Sequence, residues 1–180
     1  MSIKKMSMIT IMTSLMAVCS WLTIPAMVPF TMQTFAVFCS LLLLGGKYGL
    51  ASIALYLFMG CVGLPVFSGF QGGIGHIVGP TGGYLIGFIF SAVLYLLLEP
   101  LFPKFSKLRL AALLCGLILC YLVGSIWFQV YFTTRGTSYS FSMVISMCVL
   151  PYIIPDLIKL ALAYYISKRI RKEVRLFDSL

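Results

Sequence analysis

Residues 34–64 read TFAVFCSLLLLGGKYGLASIALYLFMGCVGL, with Lys47 as the only charge. A helix rising 1.5 Å per residue crosses a hydrocarbon layer of about 30 Å with about 20 apolar residues. The stretch is therefore one overlong span, or two spans over 34–44 and 48–64 parted by Gly45, Gly46 and Lys47. The first of the two is short for a full crossing, so length leaves the matter open and charge decides it. Two spans here give six in the chain: 7–24, 34–44, 48–64, 81–98, 108–132 and 141–166. With the N-terminus inside, one side then receives Lys4, Lys5, Lys47, Lys104, Lys107, Arg109, Lys168, Arg169, Arg171, Lys172 and Arg175, eleven of the thirteen basic residues. The other side receives Arg135 alone, and Lys159 stays in the membrane. Inner loops carry the excess of Lys and Arg in membrane proteins; a merged, five-span chain scatters the same charges over both faces.

Composition agrees. The 180 residues are 61% hydrophobic and 9% charged, with a mean hydropathy of +1.08, whereas soluble domains carry about 25% charged residues. The expected fold is an all-α integral membrane protein: one compact bundle of six transmembrane helices, both termini cytoplasmic, with residues 1–180 forming a single transmembrane domain. The net charge of +9 does not indicate nucleic acid, because the basic residues collect in inner loops instead of an aromatic-interleaved patch. Cys19, Cys39, Cys61, Cys115, Cys120 and Cys148 lie in apolar stretches without a CxxC or a nearby His, so neither zinc nor a disulfide framework is indicated. Lys4 and Lys5 ahead of an apolar run resemble a secretory signal, but no small-residue cleavage pattern precedes Pro25 and Pro29; a retained first helix is the reading.

The outer loops are then 25–33, 65–80 and 133–140. Seven of the twenty residues 65–84 are Gly and none is charged. Glycine permits close backbone approach at an entropic cost, and a solvated linker is richer in Ser, Lys and Glu than one bearing Val66, Phe67, Phe70, Ile74, Ile77 and Val78. This segment is expected to fold back over the bundle as a lid or re-entrant piece, which a membrane permits only where backbone groups face protein or a water-filled cavity. The alternative is a flexible loop with incidental hydrophobes.

Asp156 and Lys159 stand one helical turn apart, the only charges between Arg135 and Lys168. A charge at membrane depth costs about 2.5 to 3.5 kcal/mol on insertion scales and marks a functional site by default. Twelve residues separate Asp156 from Lys168, a rise of about 18 Å, which places the carboxylate within the bilayer. Pro151 and Pro155 are expected to break the last span. At i, i+3 the pair shares a face and can present an acceptor and a charged donor to one polar group. The competing reading makes Asp156, after Pro155, a helix-start residue and lets Lys159 snorkel.

Among the remaining polar residues, 29–34 offer Phe30, Gln33 and hydroxyls on the side of the glycine-rich loop, for ligand contact or for helix capping by Thr34. His76, the one histidine, lies in the lid and reads first as a hydrogen-bonded structural residue. Tyr84, Trp127, Tyr131 and Tyr152 fall near outer ends, where aromatic belts are usual, and Glu99 reads as interfacial. Small residues pair in the first span as Thr10 with Ser14 and Thr13 with Ala17, a helix-packing pattern. Gly73, Gly75 and Gly79 do not fit a dinucleotide fingerprint, and no P-loop is present.

Taken in order, Pro29-Phe-Thr-Met-Gln-Thr34, Gly60-Cys-Val-Gly-Leu-Pro-Val-Phe67, Gly79-Pro-Thr-Gly-Gly-Tyr84 with Gly87-Phe88, and Pro155-Asp-Leu-Ile-Lys159 resemble the BioY family, the biotin-binding S components of energy-coupling factor transporters. The resemblance runs from the first span to the last. It implies a multi-pass protein of the cytoplasmic membrane that binds biotin near its outer face as transported ligand, with no cofactor. It implies Asp156 and Lys159 at the polar end of the pocket, with Gly73, Gly75, His76, Thr81, Gly82, Gly83, Tyr84, Phe30 and Gln33 around the ligand. It also implies partners: a transmembrane coupling subunit and paired ATP-hydrolysing subunits. The family's docking motif, usually Ala-x-x-x-Ala, has its nearest match in Thr13 with Ala17. The same fold serving another vitamin is the neighbouring alternative; a small membrane enzyme or chaperone using Asp156 and His76, and a channel, are more distant ones. Neither a nucleophile paired with a base nor a polar file through the bundle supports those two.

Overall fold

In hydrocarbon a backbone N–H or C=O has no water to turn to, so spanning segments satisfy their own hydrogen bonds as helices. The computed structural model describes residues 3–102, 108–137 and 139–178; Lys104 and Lys107 of the expected inner loop lie outside the described residues. Helix α1 (Ile3–Trp21) leads into a two-residue antiparallel ribbon of β1 (Thr23–Ile24) and β2 (Phe30–Thr31), which pairs Thr23 with Thr31 and Ile24 with Phe30. There follow α2 (Gln33–Cys61), a loop holding a 3-10 turn (Ser68–Phe70) and the short α3 (Ile74–Ile77), then α4 (Gly82–Leu98) and α5 (Leu108–Thr133), and finally α6 (Phe141–Cys148) and α7 (Leu150–Asp178). Helices α1, α2 and α5 and the segment Gly82–Leu101 that begins with α4 are each long and apolar enough to cross a membrane, and α6 with α7, bent by 43°, is a candidate fifth. The chain is a membrane protein built almost wholly of helix.

Helix α2 contains a sharp reversal. Gly45 sits at φ 78, ψ 178 inside it, a conformation glycine adopts without the penalty of a Cβ. On either side the chain runs antiparallel to itself: Gln33 Nε2 donates to Tyr56 OH at 3.0 Å, and Ser40 and Ser52 hydroxyls lie 2.5 Å apart. A Cβ on Gly49 would stand 3.1 Å from Leu41 Cα. The break falls at the Gly45-Gly46-Lys47 signal. Glu99, at the end of α4, accepts from the Gly46 N–H at 2.9 Å, supplying an acceptor to a backbone donor that the reversal leaves without a helical partner. The expected interfacial carboxylate thus closes the tip of the α2 hairpin. Lys5 and Lys47 lie 5.1 and 6.0 Å from the Tyr48 ring at that same tip, so basic groups collect at this end of the bundle.

The last span is broken, as the prolines require, but the break is at Val149 (φ −125, ψ −57). Pro151 therefore occupies the first turn of α7, where its missing N–H costs nothing, and Pro155 lies inside the helix. This corrects the helix-start reading of Asp156: the carboxylate is in the second turn and does not cap the helix.

The core forms where α2 packs against α1, α4 and α7, and α4 against α5. Met16, Ala36, Ile53, Ala92 and Ala163 are fully enclosed there. Thr13 and Ala17 belong to this core, 2% and 6% exposed, and Thr13 Oγ1 lies 3.1 Å from the Ser52 carbonyl oxygen as its donor. Both residues of the expected docking pair thus take part in the packing of α1 on α2. The other small pair, Thr10 with Ser14, lies on the exposed face of α1. In the glycine-rich loop, Val66 and Phe67 are buried and Ile77 packs on the core, while Phe70, Ile74 and Val78 stay exposed. The loop is pinned across the bundle by Gly73 N donating to Gly60 O at 2.6 Å and Trp127 Nε1 donating to Gly79 O at 2.9 Å.

Candidate functional site

Asp156 and Lys159 face inward from α7, 3% and 4% exposed, with Lys159 Nζ 2.8 Å from Asp156 Oδ1. Burying a single ion is costly, and a pair is tolerated when hydrogen bonds satisfy what the partner leaves open. Thr34 Oγ1 donates to Asp156 Oδ1 at 2.8 Å and Tyr121 OH to Oδ2 at 2.6 Å. Lys159 donates to the Thr31 carbonyl at 2.6 Å and more distantly to Thr34 Oγ1 at 3.3 Å, and lies 4.1 Å from the centre of the Phe30 ring. A carboxylate offers about four acceptor positions. With Oδ1 taking two donors and Oδ2 one, Oδ2 retains an open acceptor position.

Asp156 borders a cavity between the ribbon, the loop and α4, α5 and α7, with about 680 Å³ of space including the open solvent at its mouth. Thr34, Tyr121, Asp156 and Lys159 make a polar corner; Leu85, Phe88 and Leu117 make an apolar wall; Phe67, Ser68 and His76 lie toward the loop. The His76 ring stacks on Phe67 at 5.0 Å, and its Nδ1 is 2.8 Å from Gln71 Oε1. Burial lowers the His76 pKa, which keeps the imidazole neutral at neutral pH. Gln33 is tied to Tyr56, whose hydroxyl donates to the Val66 carbonyl at 3.0 Å, joining the cavity wall to the start of the loop.

Of the residues expected at a site, Gln33, His76, Thr81, Tyr84, Asp156 and Lys159 line this cavity together, and Phe30 lies behind Lys159. The glycines separate. Gly75 lines a groove outside the cavity, Gly73 holds the loop to Gly60, and Gly82 and Gly83 are packing positions. A Cβ on Gly82 would stand 1.5 Å from the Ile77 carbonyl oxygen, and one on Gly83 2.2 Å from Trp127 Cβ. Thr31 and Phe88, which stand in the quoted motifs, also line the cavity, and Tyr121 and Leu117 are cavity residues that the sequence reading passed over. A tyrosine in mid-span, away from either interface, was the available signal for Tyr121. Trp127 and Tyr152, expected in an interfacial belt, donate to Gly79 O and Val28 O and hold the loops over the helices.

A profile built from known sequences matches residues 1–176, a stretch that includes the Thr31 ribbon and the Asp156–Lys159 turn. The chain belongs to the BioY family. It is 40% identical over 163 residues to the biotin transporter BioY of Thermotoga maritima, covering 90% of this chain and 92% of that protein. Identity to a BioY protein of Pyrococcus horikoshii is 36% over 172 residues, covering 95% and 98%. The BioY fold described above superposes on a crystal structure of the S-component for biotin from an ECF-type ABC transporter with a TM-score of 0.82, at 30% identity, over 94% of this chain and 92% of that one.

Proposed function

We propose that this BioY chain captures biotin at the cell membrane as the substrate-specific subunit of an energy-coupling factor transporter. The carrying observation is the buried Asp156–Lys159 pair with an open acceptor on Asp156 Oδ2, set at the polar corner of an apolar-walled cavity. Biotin matches it chemically. Its ureido ring has N–H donors for Asp156 and a carbonyl for Lys159, and its thiolane suits Phe88 and Leu117. Its valerate carboxylate is repelled by Asp156 and turns toward the mouth between His76 and Thr81. With the two arms of α2 as separate crossings the chain makes six spans and has both termini on one side; the basic residues at that end support the cytoplasm for it and the outer face for the cavity.

Titrating detergent-purified protein with biotin, biotin analogues and other vitamins, by calorimetry or by the fluorescence of Trp21 and Trp127, tests this reading. Saturable binding of biotin in preference to other vitamins is expected; a stronger response to a different vitamin overturns it. Tyr121→Phe removes one donor from the Asp156 carboxylate without changing shape. Hydrogen bonds to charged groups contribute about 1.5 to 3 kcal/mol, so biotin affinity should fall by about one decade, read by the same titration.

The coupling subunit is expected to meet the exposed face of α1 at Thr10 and Ser14, where small side chains allow close helix approach. Ser14→Trp should leave biotin binding unchanged and reduce uptake by the reconstituted transporter at least about tenfold. Undiminished uptake would remove this face from the docking site.

A further inference from the structure

Outside the cavity lies a second, wider groove lined by Met27, Gln71, Gly75 and Tyr131. Pro29, His76 and Thr81 line both spaces, so these three residues stand between the groove and the cavity. The Arg135 guanidinium carbon sits 3.8 Å from the centre of the ring of Tyr131, a groove residue, a cation–π contact that holds the charge beside the groove. Residues 22–33, 62–84 and 130–155 build this end of the protein and contain no Asp, Glu or Lys; Arg135 is their one charge. Of the four acids in the chain, Glu99 is at the α2 hairpin tip, Asp156 is paired, and Glu173 and Asp178 come 17 and 22 positions after Asp156 in the sequence. His76, neutral by burial, adds no competing charge at the neck.

We propose that the groove is an entry station for an anionic ligand, in which Arg135, held on Tyr131, attracts the ligand carboxylate before its neutral end passes Pro29, His76 and Thr81 into the cavity. The inference rests on the biotin reading above, because it assigns the ligand a carboxylate that trails toward the mouth. A lone cation at a mouth otherwise free of fixed charge draws anions toward it. Through water, two unit charges about 7 Å apart interact enough to change an encounter rate by about threefold, and the effect fades as the screening length falls to about 3 Å in 1 M salt. Steering of this kind appears in association rates more than in dissociation rates.

The test is stopped-flow association of biotin and of its neutral carboxamide with the full-length purified protein, as wild type, Arg135→Gln and Arg135→Glu, in low and high salt. In low salt the wild type should take up biotin about threefold faster than the carboxamide. Arg135→Gln should equalise the two, and Arg135→Glu should favour the carboxamide. Dissociation rates and occupancy at saturation should match wild type, and 1 M salt should erase the differences. A biotin advantage that survives in Arg135→Gln, or a change confined to dissociation, overturns the entry station. Failure of the wild type to bind biotin at all overturns the biotin reading on which it depends.

Discussion

Asp156→Asn is expected to weaken biotin binding by at least about a hundredfold while the protein still inserts and purifies as a membrane protein. The substitution keeps the side chain's size but removes the charge opposite Lys159, a residue that is 4% exposed. Breaking a buried pair by removing one partner costs about 3 to 5 kcal/mol, because the remaining ion is left uncompensated. It also replaces the open carboxylate acceptor with a neutral amide, weakening a charge-assisted contact of about 1.5 to 3 kcal/mol; each 1.4 kcal/mol is about a decade of affinity. Lys159→Ala should cost less, about one to two decades, since Thr34 and Tyr121 still donate to the carboxylate it leaves behind. Calorimetric titration of both variants decides the matter, and unchanged affinity in both would remove the pair from the binding site.

Gly82→Ala is expected to lower the thermal midpoint and to weaken biotin retention by about one to two decades, although Gly82 does not line the cavity. Its Cβ would fall 1.5 Å from the Ile77 carbonyl oxygen, a backbone atom that cannot swing aside like a side-chain tip. Helix α3 would have to lift, taking His76 from the cavity edge and disturbing the neighbouring Thr81. Overpacking of this kind costs about 1 to 3 kcal/mol or more. Gly75→Ala is the matched control from the same loop, because no atom stands within 4 Å of its Cβ position, and it should bind as wild type. Thermal unfolding and dissociation rates of the two variants provide the comparison; equal behaviour would mean that close packing of α3 on α4 does not position the loop.

The parts of the fold legible in the sequence are those with a local energetic signature. Gly45, Gly46 and Lys47 interrupt an apolar run with two conformational breakers and a charge, and the reversal is found there. Asp156 and Lys159 were conspicuous because charge in hydrocarbon is costly wherever it occurs, and they are found buried together. Tyr121 was not, since a tyrosine in an apolar helix costs little and its partner is 35 positions away. The α1 pairs show the same limit. Thr10 with Ser14 and Thr13 with Ala17 have identical spacing, yet the first pair is exposed and the second is packed on α2.

Composition and the placement of charge are thus sufficient to show that the chain crosses a membrane, where α2 reverses and which two ions need an explanation. Each of these follows from the transfer of individual residues out of water, a cost that depends on residue type and near neighbours in the chain. Which tyrosine reaches Asp156, which glycines face the cavity and which serve only to let helices close, and which side of α1 remains free are settled by the approach of segments tens of residues apart. Those outcomes depend on shape, and packing selects among sequence patterns that are locally equivalent.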